Sequence, residues 1–213
     1  YPKVPISTLL VEKIPVTAFL GFWSMLLGIV AGLSMGLMMV RFRNRIGDTL
    51  GNGYIMFVRA VPSLLYLFFI QIQVSKWFRL PLVYYDDKPL SWILPIISLA
   101  LSSIAWYALW LRRFMVDEEN QDYVKFALVK GLPKKEVWKQ VLKKHVFRNA
   151  IIPLSAYLPS DLLNIISGSL VIETLYAIPG TGGLLTTAIK NQDNNLVQIL
   201  VLMYAVVSIL GVF

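Results

Sequence analysis

Apolar residues in this chain gather into five blocks, at 16–40, 54–74, 92–111, 150–173 and 195–213. Each approaches the roughly 20 residues that cross a bilayer as an α-helix. Spanning backbone must satisfy its own hydrogen bonds, so the pattern predicts an all-α, polytopic membrane protein with five spans. The short alternating strands of a membrane β-barrel are absent. Between the third and fourth blocks, over 112–149, the pattern changes. Lysines and arginines crowd KFALVKGLPKKEVWKQVLKKHVFRNAIIP, Lys125 to Pro153, yet Phe126, Leu132, Val137, Trp138, Val141 and Leu142 recur at helical spacing. Asp117 to Lys130 reads as one helix, acidic at its start and basic at its end. Gly131 then suits a helix C-cap, Pro133 blocks continuation, and a second helix is predicted over Lys134 to Asn149. Two uses fit such a segment: docking to a cytoplasmic partner, or lying on acidic lipid.

Composition supports the membrane reading. The chain is 57% hydrophobic and 15% charged, with mean hydropathy +0.65, too little polar surface for a soluble protein with five buried helices. The net charge of +8 suggests nucleic acid only until its location is considered. Arg41, Arg43 and Arg45 follow the first block, and Arg112, Arg113, Lys125, Lys130, Lys134, Lys135, Lys139, Lys143, Lys144 and Arg148 fill the link after the third. The other two links are nearly neutral. Alternate links carry the positive excess, which places both basic links in the cytoplasm and the start of the chain outside. The charge is topological, and no nucleic acid is expected. The absence of cysteine excludes disulfides and thiolate metal sites. The lone His145 sits among lysines and offers no metal ligand set, so none is expected. No initiator Met, signal segment or polar C-terminal flank is present, so the expectation is an internal piece of a longer chain.

Finer features refine this outline. Residues 1–15, punctuated by Pro2, Pro5 and Pro15, read as a short extracytoplasmic lead-in. Gly28, Gly32 and Gly36 form a small-residue face in the first span that lets another helix come close. Pro62 predicts a kink in the second span, and Arg59 beside it a snorkelling cation. In the fourth block Ser160, Asn164 and Ser167 fall on one helical stripe, with Asp161 and Gly168 beside them. An acid at mid-span faces protein or water rather than lipid, so this stripe reads either as the lining of a passage or as a helix–helix contact. Glu173 with Pro179, Gly180 and Gly182 is expected at the outer surface between the last two spans, as an outer gate, a contact for an external protein, or a plain re-entrant turn.

Ala127, Gly131, Leu132, Val137, His145 and the run Arg148 to Pro153 resemble the EAA-type loop of ABC importer permeases, in the version of the oligopeptide and dipeptide importers. Pro5, Ile6, Ser7, Leu9, Ile14, Pro15 and Thr17 resemble that family's lead-in. Gly168, Ser169, Glu173, Thr174 and Pro179 to Gly182 resemble its G-S-x-x-x-E-T-x-x-x-x-P-G-x-G segment, and Asp193, Val197 and Gln198 the start of its last span. Lys125 and Phe126 depart from the wider family, which prefers Glu and Ala there. The resemblance implies the ABC importer permease (MetI-like) helical core, B-type, in a bacterial cytoplasmic membrane. It further implies a second, C-type permease subunit, two cytoplasmic ATPase subunits and an extracytoplasmic peptide-binding protein. Phe126, Ala127, Leu128, Val129, Gly131 and Leu132 are then the ATPase-coupling residues. The chain has no G-x-x-x-x-G-K-[ST] phosphate loop, so it is not expected to be an enzyme; it needs no cofactor, and ATP and Mg belong to the partners. A nickel or metallophore importer stays open as the alternative cargo class, with a secondary transporter or a non-transporting scaffold behind it.

Overall fold

The computed structural model of the protein describes residues 5–130, 145–165 and 169–212. Among these residues the structure is helical, without a strand. The elements are α1 (Ile6–Arg41), α2 (Ile46–Ala60), α3 (Ser63–Phe69), a π-helical turn (Ile70–Val74), α4 (Ser75–Phe78), a 3₁₀ turn (Pro89–Trp92), α5 (Ile93–Glu119), α6 (Asp122–Val129), α7 (Phe147–Ser155), α8 (Leu158–Asn164), α9 (Leu170–Leu175), α10 (Thr181–Lys190) and α11 (Asn194–Val212).

Several expected boundaries move. The lead-in is not separate, because α1 already begins at Ile6 and carries Pro15 within it. Pro15 removes only one donor, to the carbonyl of Val11, which a 36-residue helix tolerates. The second block is broken at Val61–Pro62 into α2 and α3 rather than merely kinked, since Pro62 supplies no N–H to continue α2. The third runs past Arg112 and Arg113 to Glu119, and the expected Asp117–Lys130 helix is interrupted at Asn120–Gln121. The fourth is no single helix. Pro159 lacks the donor that would extend α7, and the block divides into α7, α8 and α9. Among the described residues three helices are long and apolar enough to cross a membrane, Ile6–Arg41, Pro89–Glu119 and Asn194–Gly211, or four if the pair broken at Val61–Pro62 counts as one. The expected five spans are not confirmed at that number.

The chain divides into two compact units. One comprises Tyr1–Leu27, Val61–Leu101 and Pro159–Phe213; the other Gly28–Ala60 and Ser102–Leu158. In the first, Leu20, Tyr66, Leu67, Leu94, Ile172, Tyr176 and Ile178 form one buried cluster, and Leu9, Leu184, Leu185, Ala188, Leu196 and Leu200 another. Gln71, on the π-helical turn, donates to the carbonyls of Leu82 (3.2 Å) and Leu175 (2.7 Å). Tyr84 N–H donates to the Tyr176 carbonyl at 2.8 Å, and the Tyr176 hydroxyl meets Ser98 Oγ at 2.8 Å. These bonds fasten the α9–α10 connection to its neighbours.

In the second unit Val40, Tyr107, Leu111, Met115, Val124, Val146, Ala150 and Leu154 pack together. Lipid tails are as apolar as leucine, so in a bilayer close contact rather than water exclusion decides which helices pair. The glycine face supplies that contact. A Cβ on Gly28 would stand 2.7 Å from Ser103 Cβ, on Gly32 2.6 Å from Tyr107 Cβ, and on Gly36 3.1 Å from Leu111 Cβ. The stripe is therefore the surface on which α1 receives α5.

Candidate functional site

The short helix α6 begins with Asp122, which suits the positive end of the helix dipole. Val124 points into the buried cluster of the second unit. Phe126 and Val129, three residues apart and so on one face, are 68% and 85% exposed. The helix is thus anchored on one face by Val124 and displays an apolar pair on another. Ala127 and Leu128 lie on the same helix; Gly131 and Leu132 lie outside the described residues. At the base of α6, Glu118 Oε2 accepts from the Tyr123 hydroxyl at 2.9 Å and from Asn149 Nδ2 at 3.3 Å. Burial and this carboxylate neighbour push the Tyr123 hydroxyl up to about 12.

The polar stripe of the fourth block is placed in part. Asn164 Nδ2 donates to Ser160 Oγ at 3.3 Å, and Ser208 Oγ on α11 donates to Asn164 Oδ1 at 3.4 Å. Gly211 lies close to Ser160, where a Cβ would come within 3.1 Å of Ser160 Cα. Asp161 stands half-buried in the first turn of α8, not midway along a continuous span. Ser167 and Gly168 lie outside the described residues.

Glu173 is 0% exposed. Its carboxylate accepts from Thr17 Oγ1 (3.0 Å) and from the backbone N–H groups of Gly182 (2.8 Å) and Gly183 (3.1 Å). The two glycines open α10, so the acid sits at a helix N-terminus whose free donors it satisfies. Thr17 Oγ1 in turn accepts from Thr181 N–H at 2.8 Å. Gly180 borders this knot so tightly that a Cβ there would run into the Glu173 carboxylate and Thr17 Oγ1. Pro179 and Gly180 line an adjoining cleft of about 300 Å³, with Lys13 and Lys190 among its walls. The structure thus joins Glu173, Gly180 and Gly182 in one cluster, with Pro179 beside it.

Sequence reasoning missed a second buried acid. Asp48 is 3% exposed and takes a two-pronged bond from Arg112, Nε to Oδ1 at 2.7 Å and Nη2 to Oδ2 at 2.8 Å. It also accepts from Asn44 N–H and Asn52 Nδ2, both at 3.1 Å. The available signal was its isolation, for Asp48 is the only acid between Glu12 and Asp86. Among the described residues no group of three or more His, Cys, Asp or Glu could hold a metal ion.

Residues 26–213 match the family of binding-protein-dependent transport system inner membrane components. The chain belongs to this family. Among curated relatives, the oligopeptide transport system permease protein AmiC of Streptococcus pneumoniae is 32% identical over 98% of this chain and 40% of its own length. The oligopeptide permease protein OppB of Salmonella typhimurium is 30% identical over 92% of this chain and 64% of its own. The dipeptide permease protein DppB of Lactococcus lactis is 29% identical over 97% and 67%. The chain thus spans 40% to about two thirds of the length of these relatives. An amino acid ABC transporter crystallised with histidines covers 96% of the chain at a TM-score of 0.70 and 15% identity. An inward-facing MetNI methionine ABC transporter covers 97% at 0.66 and 16%. At such identity these two establish the importer-permease fold alone.

Proposed function

We propose that this chain is the transmembrane permease subunit of an ATP-driven ABC importer and forms the passage for oligopeptides delivered by an extracytoplasmic binding protein. The observation that carries the reading is the alignment of peptide permeases over 92% to 98% of the chain. The displayed pair Phe126 and Val129 supports a docking role for α6, with Ala127, Leu128, Gly131 and Leu132 in the same coupling segment and the ATPase as its partner. ATP and Mg act on two ATPase subunits, and a C-type permease completes the passage. Ser160, Asp161, Asn164, Ser167 and Gly168 are assigned to the passage lining. Glu173, Pro179, Gly180 and Gly182 are assigned to the outer gate, with Glu173 holding the turn rather than touching cargo. The relatives' names favour peptides over nickel chelates as cargo.

The test is reconstitution of the purified complex in proteoliposomes with labelled oligopeptides and, separately, labelled nickel chelates. Peptide uptake that requires ATP and the binding protein is the expected result. Uptake indifferent to ATP points to a secondary transporter, and no flux of either cargo with all partners present points to a scaffold.

A further inference from the structure

The last two turns of α5, Arg112 to Glu119, gather polar bonds from four other segments of the second unit. Arg112 grips Asp48 at the start of α2. Glu119 Oε2 accepts from Arg43 Nη1 at 3.0 Å in the turn between α1 and α2. Glu118 accepts from Tyr123 on α6 and Asn149 on α7. These bonds differ in stiffness. Each Glu118 and Glu119 contact is one-pronged and lies nearer the surface, with the Arg43 side chain 43% exposed and that of Glu119 18%, and such bonds yield to water more easily than a buried fork. The Asp48–Arg112 bond is a planar fork on a carboxylate that is almost wholly buried, and its two oxygens are further held by Asn44 and Asn52. Asn44 itself adopts the left-handed conformation, φ 60°, so the turn that presents Asp48 is tightly specified.

We propose that Asp48 and Arg112 are positioning residues for coupling: their fork carries displacement of the α6 base, through the end of α5, into the α1–α2 turn. The proposal rests on the permease reading above, since it names the joint behind the docking helix. The geometry favours transmission over a static staple because the fork sits on the same two turns that hold α6. A displaced α6 pulls first on Glu118, and the next stiff bond along that helix end is Arg112 to Asp48. A side chain that merely closed the fold would have no need to share those turns with the docking helix.

The test uses the complete reconstituted complex and reads peptide taken up per ATP hydrolysed. The informative variant is the double change Asp48→Asn with Arg112→Gln, which removes both charges together and so leaves no buried ion unpaired. The expected result is an assembled complex with ATP hydrolysis retained and uptake per ATP lower by roughly tenfold, within the range by which linking residues modulate coupling. Arg112→Lys keeps the charge but loses the fork, and an intermediate ratio is expected. Wild-type coupling in the double variant overturns the proposal. So does uptake that falls only in proportion to the amount of folded complex, measured by thermal melting, or a double variant that fails to assemble while Arg112→Lys couples normally. Should the unaltered complex itself import no peptide with ATP, the permease reading fails instead, and the two failures stay distinct.

Discussion

A carboxylate shut away from water has to be satisfied by protein, and Glu173 meets that demand with one hydroxyl and two backbone N–H groups. Glu173→Ala leaves the N–H groups of Gly182 and Gly183 without their acceptor, while the Thr17 hydroxyl keeps its contact with Thr181 Oγ1 at 3.2 Å. The expected loss is about 1–3 kcal/mol for each donor left unsatisfied, seen as a lower melting temperature of the detergent-solubilised protein. Glu173→Gln keeps one acceptor oxygen and should lose less. Gly180→Ala should destabilise comparably to Glu173→Ala, because its methyl would occupy the space of the Glu173 carboxylate and Thr17 hydroxyl. A melting temperature unchanged in both would mean the knot contributes nothing. Asp161 is different, being half-buried on a short helix. Asp161→Leu should leave assembly intact and lower uptake, with Asp161→Asn milder; normal transport of a peptide panel by Asp161→Leu would remove it from the passage lining.

Among the elements, α6 offers the sharpest contrast between anchoring and display. Val124 holds it to the cluster of the second unit, while Phe126 and Val129 face outward. Phe126→Asp and Val129→Asp should therefore leave melting unchanged and abolish co-purification of the ATPase subunits, or their coupling to uptake. Retention of both would return α6 to the role of a lipid-surface helix. Helices also show what sequence could and could not reveal. The spans realised in α1, α5 and α11 were legible because their hydropathy is unbroken and their ends carry arginine or polar residues. The block at 150–173 read as a span because average hydropathy does not register that Pro159 withholds a donor. The glycine face of α1 was legible from its four-residue spacing. The Asp48–Arg112 and Thr17–Glu173 bonds were not, since they join residues 64 and 156 positions apart and neither member advertises its partner.

For the molecule as a whole, the arrangement in the bilayer is the property most open to direct test. Only 11% of the residues of the helix Asn194–Gly211 are buried within the chain, so apolar side chains such as Leu202, Val206 and Ile209 are left for lipid or a partner subunit. The chain has no cysteine, so single cysteines can report sidedness without a background. A cysteine at Lys190, exposed at the end of α10, should react with an impermeant thiol reagent outside intact cells. One at Lys130, exposed just beyond α6, should react only after the cytoplasmic side is opened. The reverse pattern would invert the orientation derived from the arginine- and lysine-rich links.

The bond from Thr17 to Glu173 also has a consequence in time. The two residues lie 156 positions apart, and at bacterial synthesis rates of 5–20 residues per second the ribosome needs roughly 8–30 s to travel between them. Throughout that interval α1 is already made while the acid and the glycine turn that complete its polar contact do not yet exist. Closure of the knot is consequently among the last events in the birth of this unit. A nascent chain halted before Thr181 would hold Thr17 beside no acid-capped helix, a state that a stalled-ribosome crosslink from position 17 could capture.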